Sequence, residues 1–243
     1  FLCFALGALP ARVAAQAAAA PSLHVYHLVE APFVFRQQGR LTGIEVEILQ
    51  AFARAEARAG RPAPRLHFHQ LPQLSGILDT VAAHPDGAIG MAALSITPER
   101  QRRLDFTAPY MLDVELLLST ADIPLATAAD YRRVLGGARA LCGPNTTFEQ
   151  NFLELRSKYL PGLRIDNSMA SMAQARATLL EGKNMLSYCA LPIYLQHYTA
   201  EPRVRRQHLF RVDRQGLAFA LPRGSAWRLR LNAFLATHVD TVR

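Results

Sequence analysis

Asp86-Gly87-Ala88-Ile89-Gly90-Met91-Ala92-Ala93-Leu94-Ser95-Ile96-Thr97-Pro98-Glu99-Arg100, continuing to Asp105-Phe106-Thr107-Ala108-Pro109-Tyr110, is the stretch that sets the fold. Its first half is a short apolar run of small residues, which reads as a strand covered on both faces, as in a parallel sheet. The period then changes. Thr97 suits a helix N-cap, Pro98 the first helical position, and Glu99 the positive end of the helix dipole. Arg100 falls in that first turn. Backbone N–H groups, a hydroxyl from Ser95 or Thr97 and a guanidinium therefore converge where a strand meets a helix, an arrangement suited to a carboxylate or another small anion. An ordinary strand-to-helix turn with a solvated arginine is the other reading of the same residues.

Outward from this stretch, Leu23–Leu28 reads as a first strand, Ile44 to about Ala59 as a helix with Ile44, Ile48, Ala51 and Phe52 on one face, and Leu66–Leu71 as a second strand. Ser75–Ala83 is a helix that ends before His84-Pro85-Asp86-Gly87. The order β-α-β-α-β predicts a parallel sheet with right-handed crossovers. Val114–Ser119 is a strand entering a second lobe. There, Arg139–Cys142 and Met185–Cys189 are strands, and Phe148–Tyr159, Ser171–Glu181 and Pro192–Tyr198 are helices. Gly216–Leu221 returns the chain, and Ala226–His238 closes the first lobe. The predicted fold class is α/β, with two lobes, each a mostly parallel sheet flanked by helices. Residues 21–115 plus 219–243 form lobe I, and 116–218 form lobe II. Two crossings imply a hinge, and a cleft between strand-end loops.

The chain has 243 residues, enough for one large or two small cores, and a net charge of +8. Lysine occurs only at Lys158 and Lys183, so the basic excess is arginine. The clusters Arg100/Arg102/Arg103 and Arg203/Arg205/Arg206 lack the interleaved aromatics of a single-strand binder, and nucleic acid is not an expected partner. The apolar run Phe1–Leu9, followed by alanine-rich sequence, reads as a secretory signal over residues 1–20 that lacks its charged start. Export to the periplasm follows. Cys142 and Cys189 either pair or remain separate buried thiols. His67 and His69 share a strand face, and ordinary hydrogen-bonded histidines are preferred there to a metal site.

Ser95-Ile96-Thr97-Pro98-Glu99-Arg100 and Asp105-Phe106-Thr107-Ala108-Pro109-Tyr110 resemble the signature of the bacterial periplasmic solute-binding proteins of family 3, which includes the polar amino-acid receptors of ABC transporters. The resemblance extends to Pro32-Phe33 and to Gly43-Ile44-Glu45-Val46-Glu47-Ile48. It implies a type II two-lobed fold and a monomeric receptor without cofactor, which delivers a solute to an inner-membrane permease or presents it to a sensor partner. It further implies that Arg100 and Ser95 hold a ligand carboxylate, and that Ala93 offers backbone. Asn145-Thr146-Thr147 stands in the second-lobe anion loop, with asparagine for the usual glycine; Asn tolerates left-handed dihedrals. His27, Glu30 and Leu74 are expected to face the cleft.

One departure concerns the ammonium partner. Relatives place an aspartate after a second-lobe strand; the comparable residues run from Gly182 to Pro192, with Tyr188 and Ala190 as cleft candidates and no carboxylate. A buried ammonium without a counter-charge is costly. Either Glu30 supplies the charge, or the ligand is not an ordinary α-amino acid; the second is preferred. The chain is not expected to be an enzyme, although the same fold serves sensors and a few enzymes. The alternatives are an extracytoplasmic sensor of the same fold and a cyclohexadienyl dehydratase-like enzyme, for which Glu30 or His27 are the candidate acids. No nucleophilic triad, phosphate loop or dinucleotide fingerprint supports another enzyme class.

Overall fold

The computed structural model describes residues 20–238. The expected signal segment lies outside the described residues except for its last position. In chain order the elements are β1 (Ser22–His27), β2 (Phe35–Gln37), β3 (Arg40–Thr42), α1 (Ile44–Arg58), β4 (Arg65–Gln70), α2 (Leu74–Ala83), β5 (Ala88–Met91), α3 (Pro98–Gln101), β6 (Asp105–Phe106) and β7 (Met111–Thr120). Then come α4 (Tyr131–Leu135), β8 (Arg139–Leu141), α5 (Thr147–Lys158), β9 (Arg164–Asp166), α6 (Met172–Glu181), β10 (Met185–Ala190), α7 (Leu191–His197), β11 (Val204–Arg206), β12 (Val212–Leu217), β13 (Ala220–Leu221) and α8 (Trp227–His238).

Every residue of β5 is buried, as its apolar run requires. Gly90 lets α2 approach closely: a Cβ there would lie 3.0 Å from Ile77 Cγ2 and 3.3 Å from Val81 Cγ2. Past β5, the Thr97 hydroxyl accepts from Arg100 N at 3.2 Å and starts α3 with Pro98 in its first turn. Gly43 at the entry to α1 has φ 116°, and a Cβ would collide with the Phe33 carbonyl oxygen at 2.3 Å, so a side chain is excluded there.

The first sheet has the order β4-β1-β5-β13-β6. Its β4-β1-β5 part is parallel, and β13 pairs antiparallel with β5 and β6. The second sheet runs β11-β7-β10-β8-β9, with β12 also on β7. Strands β10, β8 and β9 are parallel, and β7 is antiparallel to β10, β11 and β12. The expected parallel order thus describes one side of each sheet, β4-β1-β5 and β10-β8-β9, and antiparallel pairing takes over on the other side, where β7 and the returning strands link the lobes.

Strand β7 enters the second sheet along its whole length. The chain returns through β12, whose Leu217 pairs Met111 and also bridges Ser95 of the first lobe. Two-sheet architecture with paired crossings is the two-lobed α/β fold expected from the sequence. The second core, around Leu117, Phe152, Leu186 and Tyr188, fills the space under α5.

Cys142 and Cys189 are both free and buried. In the parallel β8–β10 ladder Ser187 pairs Leu141, which places Cys142 beside Tyr188 and one step out of phase with Cys189. Successive side chains on a strand point to opposite faces. Cys142 accordingly packs in the core around Phe152, and Cys189 in the core around Phe33 and Ile193. Separate thiols, one of the two expectations, are what the register produces, and burial pushes both up to about 12.

His24, His67 and His69 stack on the outer face of β1 and β4, with ring centroids 5.2 Å apart for each pair with His24. A hydrogen bond of 3.0 Å joins His24 Nδ1 and His69 Nε2. Among the described residues, no group of three or more His, Cys, Asp or Glu side chains is arranged to hold a metal ion. No helix among them is long and apolar enough to cross a membrane.

Candidate functional site

A cavity of about 420 Å³ lies between the two sheets, within the range of small-molecule sites. Its walls are the loops after the carboxyl ends of parallel strands: after β1, β4 and β5 from one lobe, and after β8, β9 and β10 from the other. β1 carries β4 on one side and β5 on the other, so the first lobe presents a topological switch point, where α/β sheets open a crevice.

Arg100 lines the cavity, and its Nη1 donates to the Ser95 carbonyl at 2.9 Å. Burial pulls its guanidinium below the usual value; Glu115 most strongly, then Asp113, acts in the other direction. Ser95 and Ala93 line the cavity too. Thr97 does not, because its hydroxyl is spent on the α3 cap. Ala93 has a left-handed φ of 48°, and its N–H donates to Glu45 Oε1 at 3.1 Å, which leaves its carbonyl as the group it can offer.

Across the cavity stands the start of α5. Asn145 adopts φ 59°, the conformation for which asparagine substitutes for glycine. The Thr146 hydroxyl donates to Gly143 O at 2.8 Å and accepts from Glu149 N at 3.2 Å. Thr147 Oγ1 donates to Glu115 Oε1 at 2.6 Å. First-turn N–H groups of a helix have no intrahelical partner, and here they belong to Thr147 and Phe148, which both border the cavity. Gln150 Nε2 reaches over to Glu99 Oε2 at 2.9 Å and ties α5 to α3 across the cleft.

Glu30, Leu74, Thr146, Thr147 and Ala190 also line the cavity, as expected. Three expected residues do not. His27 is buried; its Nδ1 bonds the Leu28 carbonyl at 3.0 Å and its ring packs edge-on to Phe68. Tyr188 lies in the second core against Phe152, with its hydroxyl donating to Phe210 O at 2.9 Å. Asn145 turns its N–H to Glu149 Oε2 at 2.7 Å and stays outside. For His27 and Asn145 a neighbour one position along, Leu28 and Thr146, takes the cavity face instead; for Tyr188 it is Ala190, two positions further along β10.

The cavity also holds acids that sequence reasoning missed. Asp113 and Glu115 alternate along β7 and therefore share a face. Glu115 pairs with Ala190 across the β7–β10 ladder, so a carboxylate stands beside the position that lacked one. Glu115 is saturated by Thr147, by Asn151 Nδ2 and by Arg214 Nε at 3.2 Å. Asp113 is 2% exposed, and its Oδ2 has no hydrogen-bond partner. Burial, then the Glu115 charge, pushes Asp113 up to about 6, against Ser95, Arg214 and Arg100.

Glu45, at the start of α1, accepts from Tyr110 Oη at 2.8 Å and leaves Oε2 unpartnered. Burial raises it to about 7, and burial raises Glu30 to about 7 against Arg176. The remaining wall is mostly apolar and includes Phe33, Phe148, Met169, Met172 and Ile193, with Gln70, Gln73, Asn167 and Ser168 as polar members.

A carboxyl whose folded pKa is raised contributes stability below its unfolded value, and that contribution is lost as pH rises through the folded one. For Glu45 the window runs from about pH 4.5 to 7, with a loss of about 3 kcal/mol. Glu45→Gln keeps the shape and removes the titration. The variant is expected to melt above the parent chain at pH 8 and to show a flatter Tm against pH between 5 and 8. Parallel melting curves for the two proteins would refute a buried, proton-binding Glu45.

Similarity to known proteins agrees with this architecture. The family model for bacterial extracellular solute-binding proteins, family 3, matches residues 25–241. Among solved structures, a binding component of an ABC transporter from Wolinella succinogenes complexed with lysine is similar at 17% identity and a TM-score of 0.73, covering 89% of this chain and 89% of that one. An ancestral arginine-binding protein bound to arginine is similar at 17% identity and a TM-score of 0.72, covering 89% and 91%. An ancestral amino-acid-binding protein described as a precursor of cyclohexadienyl dehydratase is similar at 22% identity and a TM-score of 0.69, covering 89% and 88%. No curated protein sequence matches the chain.

Proposed function

The chain belongs to the bacterial extracellular solute-binding proteins of family 3, and from that premise we propose that it is a periplasmic receptor for a small carboxylate-bearing solute, an amino acid or a close relative, which it passes to an ABC permease. One observation carries this reading: a half-buried arginine, Arg100, borders a cavity whose opposite wall is the N-terminus of α5. A guanidinium and the free N–H groups of a helix start are complementary to one anionic group from two sides. A ligand seated there touches both lobes only when they are together, so binding favours the closed arrangement. The lobes are 21–115 with 219–243, and 116–218; the two crossings are β7 and β12, which pair with each other from Met111 to Glu115.

Thermal melts of the exported protein with α-amino acids, their deaminated analogues and dicarboxylates test this. At 100 times Kd, a ligand that binds only the folded state adds about 2.7 kcal/mol. For a chain of this size that is roughly 5 to 10 °C in Tm. A folded protein whose Tm moves with none of these compounds overturns the receptor reading.

A further inference from the structure

We propose that Asp113 is the ammonium anchor of this cavity, and that the solute is an α-amino acid with an uncharged, apolar side chain. This rests on the carboxylate reading above and specifies the ligand's other two groups.

An α-amino acid carries opposite charges one carbon apart, so a site that takes both must present a cation and an anion side by side. Ser95 is where the two meet. Its carbonyl accepts from Arg100, and its hydroxyl is the side-chain partner that stabilises the Asp113 carboxylate.

The other acids of the cavity are less suited. Glu115 is occupied by Thr147, Asn151 and Arg214. Glu45 is held by Tyr110 and the Ala93 N–H; its neighbours are hydrogen-bond donors with no cation among them, and it sits in surroundings that favour the neutral acid. Glu30 faces Arg176. Asp113 alone combines a cation beside it, Arg100, with a buried oxygen that lacks a donor. A buried acceptor left unpaired is costly, and an incoming N–H group removes that cost. Directly across the β7–β12 ladder from Asp113 is Arg214, but its side chain is turned to Asn151 Oδ1 at 2.6 Å and to Glu115.

Most of the rest of the cavity wall is apolar, supplied by Phe33, Leu74, Phe148, Met169, Met172 and Ile193. A guanidinium, ammonium or second carboxylate placed among them would lose hydration, and the further acids of the wall, Glu30 and Glu45, are pushed up to about 7 by burial and offer a cation only a weakened counter-charge. A branched, thioether or aromatic side chain would fill the same space with apolar contact.

The test is calorimetric titration of the full exported chain with L-leucine, L-methionine and L-phenylalanine, with 4-methylpentanoate (leucine's skeleton without its amine), and with L-arginine and L-glutamate. At least one of the three apolar amino acids is expected to bind 100-fold or more tighter than arginine and glutamate. Leucine should exceed 4-methylpentanoate by 30-fold or more. In Asp113→Asn that advantage should fall below about threefold, with affinity for 4-methylpentanoate unchanged.

Arginine or glutamate binding more tightly than all three apolar amino acids would overturn the side-chain assignment and leave the receptor reading standing. Equal affinity for leucine and 4-methylpentanoate in the parent protein would overturn the anchor whether or not the variant folds. A variant that weakens both ligands alike would show Asp113 to be a structural acid. If no carboxylate of any kind binds the folded protein, the receptor reading itself fails.

Discussion

Arg100→Ala is expected to lower affinity for a carboxylate ligand by at least 100-fold while leaving a folded protein. The guanidinium is half-buried at the cavity wall and anchored by one arm to the Ser95 carbonyl. Removing one partner of a desolvated, hydrogen-bonded ion pair costs about 2 to 5 kcal/mol, and a hundredfold, about 2.7 kcal/mol, lies in the lower part of that range. The fold survives because α3 is started by Thr97 and Pro98, both untouched, and because Glu115 keeps Arg214 as a counter-charge. Titration of parent and variant, with circular dichroism to confirm folding, reads the result. Arg100→Lys should recover only part of the loss, since an ammonium replaces the planar fork with a point charge. Unchanged affinity in the alanine variant would defeat the carboxylate assignment.

Phe52→Ala carries the largest expected loss of stability, about 4 kcal/mol by analogy with other buried aromatic truncations. Phe52 is fully buried on the inner face of α1. It meets Trp227 edge-on at 6.2 Å and Phe234 at 5.7 Å, and so clamps α8, the last element of the chain, onto the first lobe. Arg230 covers the outer side of Trp227 at 4.4 Å, which leaves little freedom for the cluster to collapse into the space a methyl would leave. Equilibrium denaturation in urea, with the Trp227 fluorescence as probe, measures the change. A loss below 1 kcal/mol would mean that α8 docks by other contacts.

The elements that sequence pattern revealed are those with punctuation. Thr97 and Pro98 mark the start of α3, Ser171 accepts from Gln174 N to start α6, and Gly182 stands at its end. The segments it did not reveal are short and lie where pairing, not pattern, makes a strand. The hairpin β2–β3 and strands β6, β9 and β11 hold two or three residues each, too few for a period to show. β12 contains Asp213, Arg214 and Gln215 and is extended because it lies on β7.

The same logic separates the site residues. Arg100, Ser95 and the Thr146–Thr147 turn announce themselves as a helix start beside a strand end. His27 fails on parity: one position out of phase with Leu28, it faces the core instead of the cleft. Tyr188 shares its phase with Ala190 but stands two residues short of the strand end, in the core against Phe152. Asp113 and Glu115 did leave a trace. They are two acids spaced by two in a ten-residue strand that is otherwise buried and mostly apolar, and such acids need partners on that face. Which partners they find depends on β10 and β12, about 70 to 100 residues further on, and no local pattern encodes that.

The out-of-phase placement of Cys142 and Cys189 has a practical consequence. Among the described residues these are the two thiols, and both are sealed in separate cores with thiolate formation suppressed. Alkylating dyes act on exposed thiolates, so the native fold offers them a silent background. A cysteine introduced at Gln73, which is exposed on the rim of the cavity, would be labelled selectively with an environment-sensitive fluorophore. Folding of this domain also needs no oxidant, so such a reporter could be prepared and used under reducing conditions, with lobe closure read directly as emission.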